Sequence, residues 1–234
     1  MNMLYLFDID GTLLRADGAG RRAINRVMQQ QFGVADAAHG IAFGGKTDRW
    51  LVNAVFGARL NRAASELEID TFIEAYLLLL DEELTRKPLW VLPDVVECLQ
   101  WLQQLPGVKL GIATGNVRGG ADIKLAQAGL LGFFEFGGYG CDSPHRPTLV
   151  RRALERGKAL LPAAERDRVS AIVVGDTVHD IEAARHIGAH ACAVTTGGDN
   201  RETLAAADVV FDRLGELAAW HGARFDCVIP AARS

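Results

Sequence analysis

Short apolar runs recur along the chain, each closed by turn residues and followed by a helical pattern. They lie at residues 4–7, 108–113, 133–136, 170–174 and 190–194, with a shorter sixth at 209–211. Runs this short and this continuously apolar predict strands buried on both faces. Strands alternating with helices predict an α/β fold with a Rossmann-like parallel sheet. The spacing is uneven in one place. About 100 residues separate the first two runs, whereas one crossover between parallel strands needs only a few tens. The surplus reads helical: Ile24, Val27, Met28 and Phe32 share one face, residues 72–84 are strongly apolar, and Gly40, Gly44 and Gly45 interrupt. The expected organisation is therefore an α/β core of residues 1–15 and 87–234, with an all-helical cap domain inserted at 16–86.

Composition narrows the classes. With 234 residues, 49% hydrophobic and 23% charged, the chain can bury a full core without disulfides or a structural metal. A formal net charge of −4 and the absence of a basic block argue against nucleic acid or an anionic membrane as partner. The longest strongly apolar run, near residues 76–80, falls far short of the ~20 residues that span a bilayer. Asp8 interrupts the first apolar stretch before a signal-peptide core could form, so a cytoplasmic location is expected. Cys98, Cys141, Cys192 and Cys227 are scattered and form no CxxC pair, as expected of isolated reduced thiols.

In an open parallel sheet, ligands bind beyond the carboxyl ends of the strands, so the residues following each strand carry the chemistry. After the first come Asp8-Ile9-Asp10-Gly11-Thr12; after the second, Thr114-Gly115-Asn116; after the fourth, Gly175-Asp176-Thr177-Val178-His179-Asp180. Any one of these aspartates alone reads as a cap or turn residue. Converging carboxylates repel one another, and a divalent cation relieves the repulsion. Oxygen ligands from Asp8 and Asp176 suit Mg²⁺ better than zinc or copper. Asp8 and Asp10, two apart at a strand end, share a face, so one can attack while the other handles protons. Thr114 with the N–H groups of Gly115 and Asn116 at a helix start forms an anion seat. Together these features describe phosphoryl transfer through an aspartyl phosphate.

The motifs resemble those of the haloacid dehalogenase superfamily, in its branch similar to phosphoglycolate phosphatase. Asp8-Ile9-Asp10-Gly11-Thr12-Leu13 resembles the first motif, Thr114 the second, and Gly175-Asp176-Thr177 with Asp180 the fourth. The resemblance implies Asp8 as nucleophile and Asp10 as acid, then base. It also implies Mg²⁺ held by Asp8, the Asp10 carbonyl and Asp176, with Asp180 acting through water. The third motif usually supplies a Lys; this chain reads Asp142-Ser143-Pro144-His145-Arg146-Pro147, and Arg146 is the expected cation, with His145 as the other candidate. Lys124 reads as remote, ten residues beyond Thr114 and roughly 15 Å by helical rise, and Lys158 as similarly distant. In the cap, Gly44-Gly45-Lys46-Thr47-Asp48-Arg49 is the expected specificity loop. Lys46 is its expected substrate contact, Thr47 and Arg49 are further candidates, and Thr47 and Asp48 are equally consistent with helix capping. His179 is expected near the rim.

The expected activity is Mg²⁺-dependent hydrolysis of a small phosphorylated metabolite, of the phosphoglycolate or sugar-phosphate class. Alternatives are C–P cleavage by a phosphonoacetaldehyde hydrolase-like route using Lys46, and a phosphomutase on the same fold. Asp10 argues against a dehalogenase, and the helical insert argues against a receiver domain. No coenzyme is implied, because Gly137-Gly138 and Gly197-Gly198 lack the GxGxxG arrangement. Both a monomer and a homodimer are compatible with the apolar cap helices.

Overall fold

The strand β1 (Asn2–Phe7) is apolar at almost every position and becomes the middle of a six-stranded sheet. It pairs in parallel with β4 (Val108–Ala113) on one side and β6 (Val169–Gly175) on the other. The computed structural model describes residues 2–225, and Cys227 lies outside them. Beyond β4 stands β5 (Phe136–Gly138); beyond β6 stand β7 (His190–Val194) and β8 (Val209–Phe211), all parallel, in the order β5-β4-β1-β6-β7-β8.

Successive side chains of a strand alternate between faces, and the core divides accordingly. Tyr5, Phe7, Ile112, Ile172 and Val174 join one cluster; Leu4, Leu6, Ala113, Val173 and Ala191 join the other. Helices α4 (Val95–Gln103), α5 (Arg118–Gln127) and α8 (Leu217–Phe225) cover the first face. Helices α6 (Arg146–Ala159) and α7 (Val178–His186) cover the second.

The expected third strand lies differently. Leu131–Phe133 is a 3-10 turn, and the strand begins only at Phe136, running into Gly137 and Gly138. A side chain at Gly138 would collide with the Leu149 carbonyl, so α6 approaches this edge strand more closely than any other residue allows.

Three helices precede α4 in the long gap and make up its surplus: α1 (Ala19–Phe32), α2 (Asp48–Leu60) and α3 (Glu66–Arg86). Their apolar faces meet through Phe32, Phe56 and Phe72, with ring centroids 5.1 Å and 6.0 Å apart. Buried Glu83 on α3 binds Arg22 (2.6 Å) and Arg26 (3.0 Å) on α1. Before and after the helices, β2 (Leu14–Arg15) and β3 (Trp90–Val91) pair antiparallel, so the two connections run side by side. This pair was not visible in the hydrophobic pattern, because two-residue strands carry no periodicity.

Among the described residues no helix is long and apolar enough to cross a membrane. Cys98 and Cys192 are free and buried, and Cys141 is free and exposed. Burial pushes the Cys98 thiol up to about 12.

Candidate active site

The chain leaves the carboxyl ends of β1, β4 and β6 side by side, where the strand order reverses. Asp8 follows β1 and still donates its N–H to the Val174 carbonyl (2.9 Å), so the sheet ladder itself fixes its position. The next residues turn sharply, with Leu13 N–H bonding back to the Ile9 carbonyl (2.9 Å). Gly11 takes φ +87° there, and a Cβ at this position would strike the Asp176 carboxylate.

Arg146 lies at the base of the site. Its guanidinium donates to Asp180 Oδ1 through Nε (3.1 Å) and Nη2 (2.5 Å), and Nη2 lies 3.0 Å from Asp8 Oδ2. Burial alone would lower its pKa, but the two carboxylates outweigh that and raise it further. Asp180 Oδ2 accepts the Thr177 N–H (3.1 Å) and hydroxyl (2.7 Å) at the start of α7. Asp176 accepts the Gly198 N–H (2.9 Å), and the Thr12 hydroxyl points to it at 3.4 Å.

One oxygen from each of Asp8, Asp176 and Asp180 lies within 4.8 Å of the others. Burial pushes Asp8 up to about 6 and Asp176 up to about 8, and the neighbouring carboxylates add to both shifts. Arg146 opposes them but cannot balance three acids. A buried, oxygen-only donor set with excess negative charge fits a hard divalent cation.

The second strand end departs from expectation. Thr114 is fully buried, and its Oγ1 accepts from Asn116 N–H (3.3 Å) and Asn116 Nδ2 (2.9 Å). The N-terminus of α5 is already occupied, because Val117 donates its N–H to Asp48 Oδ2 (2.8 Å). The anion seat expected from Gly115 and Asn116 is corrected accordingly: Asn116 N–H is turned onto Thr114, and the helix start is capped by Asp48. Only the Gly115 N–H remains unengaged among the described residues of this turn. Burial pushes Asp48 up to about 6, while Lys124 and the Val117 N–H pull it back.

Lys124 overturns its expected remoteness. Its Nζ lies 2.6 Å from Asp10 Oδ2 and 2.7 Å from Asn116 Oδ1, and the side chain is buried. The rise estimate failed because α5 starts only at Arg118, so Lys124 is six residues in, about 9 Å along the axis. A long side chain on a helix also leans back toward the N-terminus. The missed signal was a lysine on the apolar stripe of Ala121 and Leu125. Lys158 is in the last turn of α6 and does not reach the site.

These groups open into a cavity of about 400 Å³, lined by Asp8, Asp10, Thr114, Gly115, Asn116, Lys124, Arg146 and Asp176 on the sheet side. Lys46 lines it from the helical side, with Nζ 5.1 Å from the Trp50 ring centroid. Two expected cap contacts lie elsewhere, and this corrects them. Thr47 is buried as the N-cap of α2, accepting the Trp50 N–H (3.2 Å). Arg49 points away from the cavity to Asp70 (2.6 Å) and Glu66. His145 hydrogen-bonds Thr148 at the exposed start of α6, and His179 packs against Gly45. Arg15, Arg21 and Tyr76 also line the cavity and were not singled out by motif.

A model of the haloacid dehalogenase-like hydrolase family matches residues 5–194. The chain belongs to this family. Among its relatives, the probable phosphatase IndB of Dickeya dadantii is 28% identical over 228 residues, spanning 93% of this chain and 92% of that protein. A phosphoglycolate phosphatase of Synechococcus elongatus is 35% identical over 124 residues, 47% of this chain and 55% of that protein. The crystal structure of CbbY from Rhodobacter sphaeroides in complex with phosphate has a TM-score of 0.70 at 20% identity, covering 93% and 96% of the two chains. A predicted phosphoglycolate phosphatase from Haemophilus somnus has a TM-score of 0.67 at 20% identity, covering 94% and 97%. At that identity the structural likeness speaks for the fold. Family and relatives together make this haloacid dehalogenase-like protein a phosphoric monoester hydrolase.

Proposed function

We propose that the protein hydrolyses a small phosphomonoester of the phosphoglycolate or sugar-phosphate class through an aspartyl-phosphate intermediate, with Mg²⁺ as cofactor. The observation that carries this reading is the placing of Asp8, Asp10 and Arg146 on one cavity of about 400 Å³. Residues 16–86 act as the cap over a core of residues 1–15 and 87–234, and the working compartment is the cytoplasm.

Asp8 attacks phosphorus, guided by Arg146, whose guanidinium lies 3.0 Å from Asp8 Oδ2 and can also meet a phosphoryl oxygen. Thr114 and the Gly115 N–H face the same phosphoryl group. Asp10 gives its proton to the departing oxygen, then takes one from the water that cleaves the aspartyl phosphate. Asp8, Asp176 and the Asp10 carbonyl would hold the metal, with Asp180 acting through water because its own oxygens are engaged by Arg146 and Thr177. The metal would supply charge neutralisation for the transferring phosphoryl group. Lys46 offers a cation to an anionic leaving group.

The test measures phosphate release from a panel of small phosphate esters, with Mg²⁺ and with EDTA, for wild type and Asp8→Asn. Release that requires the metal and disappears in Asp8→Asn is expected. A wild-type rate in Asp8→Asn overturns the nucleophile assignment.

A further inference from the structure

We propose that Lys124 is a positioning residue for Asp10, fixing which carboxylate oxygen carries the transferred proton; this rests on Asp10 being the acid and base. The four motifs do not include this lysine, and its place is decided by geometry alone.

Lys124 Nζ (2.6 Å) and Asn116 Nδ2 (2.8 Å) both donate to Asp10 Oδ2, while Oδ1 has no donor among the described residues. An ammonium and an amide NH₂ can only donate, so neither can receive a hydrogen from Oδ2. A proton on Asp10 therefore sits on Oδ1. The Asp10 side chain is 42% exposed and borders the cavity, whereas Lys124 is 5% exposed beneath it. Two donors on one oxygen also stop the carboxyl group rotating, and an acid held in place is worth far more than one that must be found.

Asn116 completes the device, because its Oδ1 takes a hydrogen from Lys124 (2.7 Å) while its Nδ2 serves Asp10 and Thr114. Asp48 faces Lys124 from the helical side and is itself tied to Val117. The proton account closes. The P–O bond to the leaving group breaks as the Asp8–P bond forms, and the Oδ1 proton passes to the leaving oxygen. In the second step water bonds to phosphorus, the Asp8–P bond breaks, and the water proton returns to Oδ1.

The experiment compares wild type, Asp10→Asn, Lys124→Met and the double variant, all full-length, by kcat/KM on an alkyl and a nitrophenyl phosphate. An acid matters most where the leaving group is poor. Lys124→Met is expected to lose roughly 10–100-fold on the alkyl ester and less than about threefold on the nitrophenyl ester. The double variant should be no slower than Asp10→Asn, because the two residues act as one unit. Affinity for inorganic phosphate should stay within about twofold, as the phosphoryl site is untouched. Equal losses on both esters, or additive losses in the double variant, overturn the proposal and leave Lys124 as a structural cation. If Asp10→Asn itself shows no dependence on the leaving group, the acid–base assignment fails instead. Should Lys124→Met not fold, Lys124→Leu, which likewise removes the donor to Asp10 Oδ2, is read by the same criteria.

Discussion

The Asp48 carboxylate accepts the Val117 N–H at 2.8 Å, and the Asp48 N–H donates to the Gly115 carbonyl at 2.9 Å. One residue of the helical segment therefore makes reciprocal bonds with the loop that follows β4. A side chain at Gly115 would strike the Lys46 carbonyl, so the loops meet backbone to backbone. The helical segment is latched onto the loop that carries Thr114.

The latch has a pH signature. Asp48 titrates near 3.8 when unfolded and at about 6 when folded, chiefly because it is buried. Between these values the folded state binds the extra proton, so stability falls as pH rises through the window. The full effect is about 3 kcal/mol. Chemical unfolding of wild type and Asp48→Asn at pH 4, 5, 6 and 7 checks this: the difference between the two curves should change across pH 4–6 and level off above it.

Cutting the latch costs more than neutralising it. Asp48→Ala leaves the buried Val117 N–H without an acceptor, a loss of about 1–3 kcal/mol. A lower melting temperature and a raised KM are expected, and an unchanged melting temperature would show the bond to be expendable.

Arg146 separates charge from geometry. Its replacement by Ala leaves buried Asp8 and Asp180 unpaired, with an expected destabilisation of about 3–5 kcal/mol. Arg146→Lys keeps the charge but cannot span two carboxylates, so it should fold better and still lose phosphate affinity. Thermal melts and phosphate titration of the two variants give the comparison.

Metal addition has a readout independent of turnover. A ligand that binds only the folded state raises stability by about 2.7 kcal/mol at one hundred times its Kd. Mg²⁺ is expected to raise the melting temperature of wild type and to have little effect on Asp176→Asn. Equal shifts in both proteins would place the cation elsewhere.

Lys46 and Arg49 should behave oppositely. Arg49 binds Asp70 and Glu66 at the surface, where such pairs are worth about 0.2–1 kcal/mol, so Arg49→Ala should leave kcat/KM unchanged. Lys46→Ala should raise KM for an anionic ester by about tenfold, the usual loss for one hydrogen bond to a charged group. Steady-state kinetics on the same ester resolves the pair.

What the sequence determined by itself is what depends on neighbours along the chain. Continuous apolar runs became the strands β1, β4, β6, β7 and β8, and the aspartates closing β1 and β6 met because parallel strands deliver their carboxyl ends to one edge. The helical surplus was visible as an interval too long for one crossover. Tertiary structure decided everything that depends on the reach and direction of side chains. Lys124 arrives at Asp10 because α5 starts late and its lysine leans back. Asp48 fills the helix start that Gly115 and Asn116 had suggested for an anion, and Arg49 turns outward to acids on α3. Spacing along a chain bounds how far apart two residues sit, but only the packing of helix on loop chooses which donor meets which acceptor.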